Sequence, residues 1–131
     1  MAFNPKEAVT IARKLGHDPD LEVVLKAQVQ VPLRNKGYFV KSNLQGGIHV
    51  AKNLTEVEEL AEKMLMQRFV SGLEQDFIIH KSKGWPVNAL LIQEKLKVDR
   101  EFAVRICYDR KNQRPIITYT ANGGRPIRWV E

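Results

Sequence analysis

The 131-residue sequence predicts an α+β fold, a mixed or antiparallel sheet packed by two helices. Three observations carry that expectation. Apolar residues recur at helical spacing in only two stretches, both in the first half of the chain. Short, alternating or continuous apolar runs fill the second half. Glycine, proline and asparagine clusters separate these segments. A chain of this length has room for one core, since domains commonly run to about 100–150 residues, and residues 1–131 are read as a single unit.

The first helix opens at Asn4-Pro5, an N-cap followed by proline at the first helical position. Ala8, Ile11, Ala12 and Leu15 then repeat until Gly16 ends the segment. His17 to Asp20 is a polar turn. Leu21 to Val29 has the valine and leucine content of a buried strand, interrupted by Lys26. A lysine there either snorkels out at a sheet edge or is held inward to meet an anion, and composition favours the edge. Gln30 to Gln45 is irregular, a loop or loosely paired hairpin. Gly46-Gly47 precedes a short strand, Ile48-His49-Val50, whose alternation sets His49 on the opposite face from its neighbours.

Asn53 or Thr55 caps the second helix, whose buried stripe is Leu54, Val57, Leu60, Ala61, Met64 and Leu65. Met64 and Met66 read as core filler. Beyond Arg68 the chain becomes a series of strands. Phe69-Val70 and Phe77 to Ile79 are short, Lys81 to Pro86 is a turn, and Val87 to Gln93 is a strongly apolar strand. Phe102 to Tyr108 alternates, Asp109 to Arg114 is a polar hairpin turn, Pro115 to Tyr119 returns, and Gly123-Gly124 turns again.

Apolar and charged fractions of 44% and 27% are those of an ordinary globular protein. No apolar run reaches the roughly 20 residues that span a bilayer. The first residues hold neither an apolar signal core nor an arginine-rich presequence, so either the chain is not imported or a targeting segment has been removed. Cys107, the single cysteine, lies in an apolar run where a small buried residue fits, and a reducing compartment is the simpler reading. His49 has no second histidine or cysteine at metal-ligand spacing. The net charge of +6 is concentrated late, in Lys95, Lys97, Arg100, Arg105, Arg110, Lys111, Arg114, Arg125 and Arg128. A solvated basic face explains it first, an acidic partner second. Nucleic acid is not expected as a partner, because no recognition motif accompanies the charge.

Val23-Val24-Leu25-Lys26-Ala27-Gln28-Val29 resembles the strand that leads into the phosphate loop of succinyl-CoA synthetase (succinate–CoA ligase) β subunits, where the usual text is similar to VLKAQVLAGGRGKG. The similarity continues in order through Lys36-Gly37-Tyr38-Phe39, Gly46-Gly47-Ile48-His49-Val50, Glu62 to Leu65, Gly84-Trp85-Pro86-Val87-Asn88, Arg100-Glu101-Phe102, Asp109-Arg110, Pro115 to Ile117 and Gly123-Gly124. Glu7-Ala8 to Lys14-Leu15-Gly16 fits the helix before it. No single match is specific; their order and spacing are. The resemblance implies one half of an ATP-grasp fold, divergent and truncated.

It also implies a site. By the resemblance, Lys26 stands where the family has a lysine near the nucleotide phosphates, Glu101 where it has an acid near the same pocket, and Gln93 where some members have a glutamate near the adenine and ribose. Arg34 and Asn35 fall within the phosphate loop itself. That loop works by bringing backbone N–H groups close over an anion, which glycine permits and side chains obstruct. Here Pro32 and Leu33 occupy the paired-glycine positions and Asn35 the next. Proline has no N–H to donate. Arg34 and Lys36 leave a looser electrostatic contact.

The cofactor implied is ATP or GTP with magnesium, although the family's magnesium ligands and its CoA-binding and subunit-contact regions lie beyond the part this chain resembles. Two readings follow. In one, the chain is a non-catalytic accessory subunit of a mitochondrial assembly, with other protein subunits as partners. In the other it is a nucleotide-binding fragment or split subunit of an active succinate–CoA ligase of the tricarboxylic acid cycle. By itself the chain is expected to be inactive. The resemblance places it in the mitochondrial matrix.

Overall fold

A computed structural model describes residues 1–15, 22–31, 35–71 and 84–121. Its contacts divide the chain into two compact units, Met1–Lys95 and Leu96–Glu131. The expected turns at residues 17–20 and 123–124, the strand at 77–79 and the first half of the turn at 81–86 lie outside the described residues.

In the first unit, helices α1 (Pro5–Leu15) and α2 (Leu54–Met64) accompany strands β1 (Val23–Ala27), β2 (Gly37–Phe39), β3 (Ile48–Ala51), β4 (Gln67–Ser71), β5 (Trp85–Val87) and β6 (Leu90–Glu94). Both helices begin with the same device. The Asn4 side-chain oxygen accepts from the Glu7 N–H at 2.9 Å, and the Glu7 carboxylate accepts in return from the Phe3 N–H and the Asn4 amide. Asn53 and Glu56 repeat the arrangement, with Lys52 supplying the N–H before the cap. Each Asn-x-x-Glu sequence is a reciprocal cap that satisfies N–H groups left over at a helix start. Asn53, rather than Thr55, is thus the cap of α2.

Sheet A has the order β3-β1-β6 and is antiparallel throughout. Val23, Leu25 and Ala27 of β1, Ala51 of β3 and Leu90 and Ile92 of β6 are buried on one face, with Ala8 and Ala12 of α1 and Val57, Ala61 and Met64 of α2 in the same core. Sheet B, in the order β2-β4-β5, is also antiparallel. Phe39 and Phe69 meet edge to face across it, 5.0 Å between ring centres. Gly37 lies against this pair at φ +147°. A Cβ there would stand 2.3 Å from the Val70 carbonyl oxygen and 2.7 Å from the Phe69 ring, so close packing requires glycine at this position.

The single strand expected over Val87 to Gln93 is two strands in different sheets. β5 pairs with β4 and β6 with β1, and the chain changes sheet at Asn88-Ala89. Pro86 is accommodated because β5 is an edge strand. Met64 fills the core as expected, but Met66 does not. It follows the C-cap of α2 at φ +55° and is 74% exposed, taking the left-handed position that ends helices and is usually glycine.

The second unit contains the hairpin of β7 (Ala103–Asp109) and β8 (Arg114–Thr120), paired along its whole length. Asp109 closes its turn, accepting from the N–H groups of Lys111 and Asn112 and from the Asn112 amide. Cys107 is half-buried on this ribbon rather than in a core. A two-stranded ribbon has no second layer with which to enclose it.

Candidate functional site

β1 is the central strand of sheet A, flanked on both sides. The edge position favoured for Lys26 is therefore corrected: it sits mid-sheet and half-buried. Period-two alternation sends Lys26 and Val24 to the face opposite the helices. Antiparallel register then decides what joins them. Lys26 stands opposite Ile48 on one side and Leu91 on the other, and Val24 opposite Val50 and Gln93. Gln93 is thus a diagonal neighbour of Lys26, about 7–8 Å away and within reach of long side chains. An ammonium and an amide project from a floor of Val24, Ile48, Val50 and Leu91.

The turn carrying Asn35 lies near the Lys26 end of β1. Ala27 donates its N–H to the Gly47 carbonyl at 2.8 Å, Gly46 donates to the Gly37 carbonyl at 2.7 Å, and a Cβ at Gly46 would lie 3.5 Å from the Asn35 carbonyl oxygen. The segment after β1 and the glycine pair before β3 are thereby held together at one end of the sheet. His49, half-buried opposite Leu25, has its Nε2 2.8 Å from the Gly46 carbonyl. It braces the glycine pair, and its flanking residues Ile48 and Val50 face the other way, as alternation requires.

The structure brings Lys26 and Gln93 to one face and sets Asn35, exposed, by the same end of β1. Arg34 lies outside the described residues. Glu101 belongs to the second unit, where it is exposed and lines an open cleft of about 500 Å³ with Val98, Arg100 and Phe102. The four apolar residues of the floor were not singled out from the sequence. Alternation within β1 and β3 contained the signal, but only the register shows which residues share a face with Lys26. Among the described residues, no three histidine, cysteine, aspartate or glutamate side chains converge to hold a metal ion. No helix among the described residues is long and apolar enough to cross a membrane.

A sheet covered by helices on one face, with a cation and an amide on an apolar floor on the other, defines an α+β scaffold. Residues 1–130 match the ATP-grasp domain family, and the chain belongs to it. The chain is 34% identical over 131 residues to the succinate–CoA ligase [ADP-forming] subunit beta of Zymomonas mobilis, covering 99% of this chain and 31% of that protein. It is 33% identical to the mitochondrial [GDP-forming] subunit beta of Mus musculus, covering 99% of this chain and 28% of the relative. Identity to the mitochondrial [ADP-forming] subunit beta of Saccharomyces cerevisiae is 30%, covering 98% and 28%. The chain thus spans about three-tenths of the length of these relatives. Its α+β architecture is that of the first half of an ATP-grasp domain.

Proposed function

We propose that this chain is a non-catalytic accessory subunit of a larger mitochondrial matrix assembly, an ATP-grasp scaffold that packs against other protein subunits. One observation carries the reading. On one face of the hairpin, Val104 stands opposite Tyr119, Ile106 opposite Ile117 and Tyr108 opposite Pro115. Every residue of that face is exposed, Ile106 at 72% and Tyr119 at 79%. A two-stranded ribbon is marginal in water without a layer to pack on, and contiguous apolar surface of this kind marks a protein contact. The altered loop sequence supports the non-catalytic part: Pro32 and Leu33 stand where backbone N–H groups would approach phosphate. The mitochondrial names of the mouse and yeast relatives support the compartment. Recovery of the tagged chain as a monomer from its native source would sink this reading.

A second reading, a nucleotide-binding part of a succinate–CoA ligase, is favoured by the shared face of Lys26 and Gln93. There the Lys26 ammonium would balance phosphate charge and the Gln93 amide would both donate to and accept from a base or ribose edge. Val24, Ile48, Val50 and Leu91 would form the apolar floor that nucleotide pockets need. Arg34 and Asn35 would be its further contacts. Bound ATP or GTP would supply the phosphoryl group for transfer. The described residues do not fit a magnesium site, so no step through the metal follows from this chain. Calorimetry with magnesium nucleotides separates the readings, since the second requires saturable binding that weakens in Lys26→Ala.

A further inference from the structure

We propose that a cleft at the C-terminal end of α2, apart from the open face of sheet A, is a docking site for an acidic, aliphatic peptide segment of a partner protein. The cleft has a volume of about 290 Å³. Val40, Met66 and Pro86 form its apolar walls, Lys41 and Arg68 supply charge, Asn88 an amide, and Gln67 the floor. Among the described residues, two cations and no carboxylate line it. That imbalance selects an anionic occupant, and the net charge of +6 favours its approach.

The walls are held before any ligand arrives. Val40 donates its N–H to the Arg68 carbonyl at 2.9 Å, and Met66 donates to the Val87 carbonyl at 3.0 Å. The Gln67 side-chain oxygen accepts from the N–H groups of Lys41 and Ser42, and its amide donates to the Lys63 carbonyl, tying the turn after β2 to the end of α2. Arg68 Nη1 donates to the Gly84 carbonyl at 2.8 Å, using one of the five donors of a guanidinium. A cleft built in this way loses little entropy when filled.

Met66 points to an apolar contact in particular. Its backbone position is one that glycine takes without cost, whereas an L side chain there is strained. A large, exposed thioether kept at that cost, beside the exposed Val40 and Pro86, provides an adaptable surface for an aliphatic side chain. In the bound state, a leucine-like side chain lies against Val40, Met66 and Pro86. A carboxylate of the same segment lies between Lys41 and Arg68.

The test is an amide-resolved NMR titration of the full chain with acetyl-Glu-Leu-Glu-amide, with acetyl-Gln-Leu-Gln-amide as the neutral control. Expected are saturable shifts at Lys41, Ser42, Met66, Arg68 and Asn88 with a Kd of about 1 mM. Affinity should be about fivefold weaker for the neutral peptide and for Lys41→Ala, and also lower for Met66→Gly, which keeps the fold. The proposal is overturned by an absence of saturable shifts, by equal affinity for the neutral peptide, or by shifts that appear on the Lys26 and Gln93 face instead.

Discussion

Lys26 and Gln93 are diagonal neighbours on the face of sheet A opposite α1 and α2, because Lys26 pairs with Leu91 and Val24 with Gln93 in the β1–β6 ladder. On the nucleotide-binding reading this face would meet the ligand, and by the family resemblance Pro32 and Leu33 take positions where a phosphate loop uses glycine. Magnesium ATP and GTP are expected to bind no more tightly than about 1 mM. Replacing both residues with glycine should tighten binding at least about tenfold, and Lys26→Ala in that background should reverse the gain. Titration calorimetry checks all three. Micromolar binding by the unaltered chain would show that the loop departures do not matter.

Gln67, only 8% exposed, joins the turn after β2 to the last turn of α2 through Lys41, Ser42 and Lys63. Gln67→Leu preserves bulk but leaves the Lys41 and Ser42 N–H groups without their acceptor, while the Lys63 carbonyl keeps its bond from Ser42 Oγ. A buried polar group without its partner costs about 1–3 kcal/mol. Denaturant unfolding should show a loss of that order with an unchanged m-value. A variant as stable as the parent would mean that water replaces these bonds.

Met66→Gly removes the left-handed strain at the end of α2 and gives up little burial, because the side chain is mostly exposed. A stability gain of about 1 kcal/mol is expected, against the usual sign for glycine substitutions. Thermal and denaturant unfolding measure it. A loss would indicate that the methionine side chain packs in solution.

The Asp109 carboxyl is held below its ordinary value, first by the Asn112 side-chain amide and then by the backbone N–H groups of Asn112 and Lys111. A lowered folded-state pKa stabilises the hairpin turn fully above the ordinary aspartate range, about 3.9. That contribution is lost as pH falls through the lowered folded value. The Lys111 and Asn112 amide resonances should titrate with a midpoint below the ordinary range, and Asp109→Ala should abolish the transition. A midpoint at or above the ordinary value would contradict the turn geometry.

Much of the fold was legible because it is locally encoded. The helix starts are written in Asn4-Pro5 and Asn53, and the hairpin in its alternation and polar turn. What escaped was non-local. Val87 to Gln93 reads as one apolar run, but its ends pair with different partners and separate at Asn88, which no periodicity signals. Lys26 resembles an edge lysine until β3 and β6 are known to flank it. Met66 looked like core because composition cannot reveal a left-handed backbone. Cys107 looked buried because alternation indicates two faces without saying whether anything covers either. Within the candidate site, the family resemblance named Lys26 and Gln93, but the apolar floor between them depends on register.

On the proposed reading, the exposed face of the β7–β8 hairpin attaches this chain to other subunits. The most direct measurement is native mass spectrometry of the tagged chain from its native source, compared with the Ile106→Asp, Tyr119→Asp double variant. The account predicts that the parent chain is found with at least one different polypeptide, and that the variant is released as a free chain of unchanged secondary structure by circular dichroism. A parent chain recovered alone, at the mass of a single tagged chain, or a variant retained in the same assembly, would contradict it.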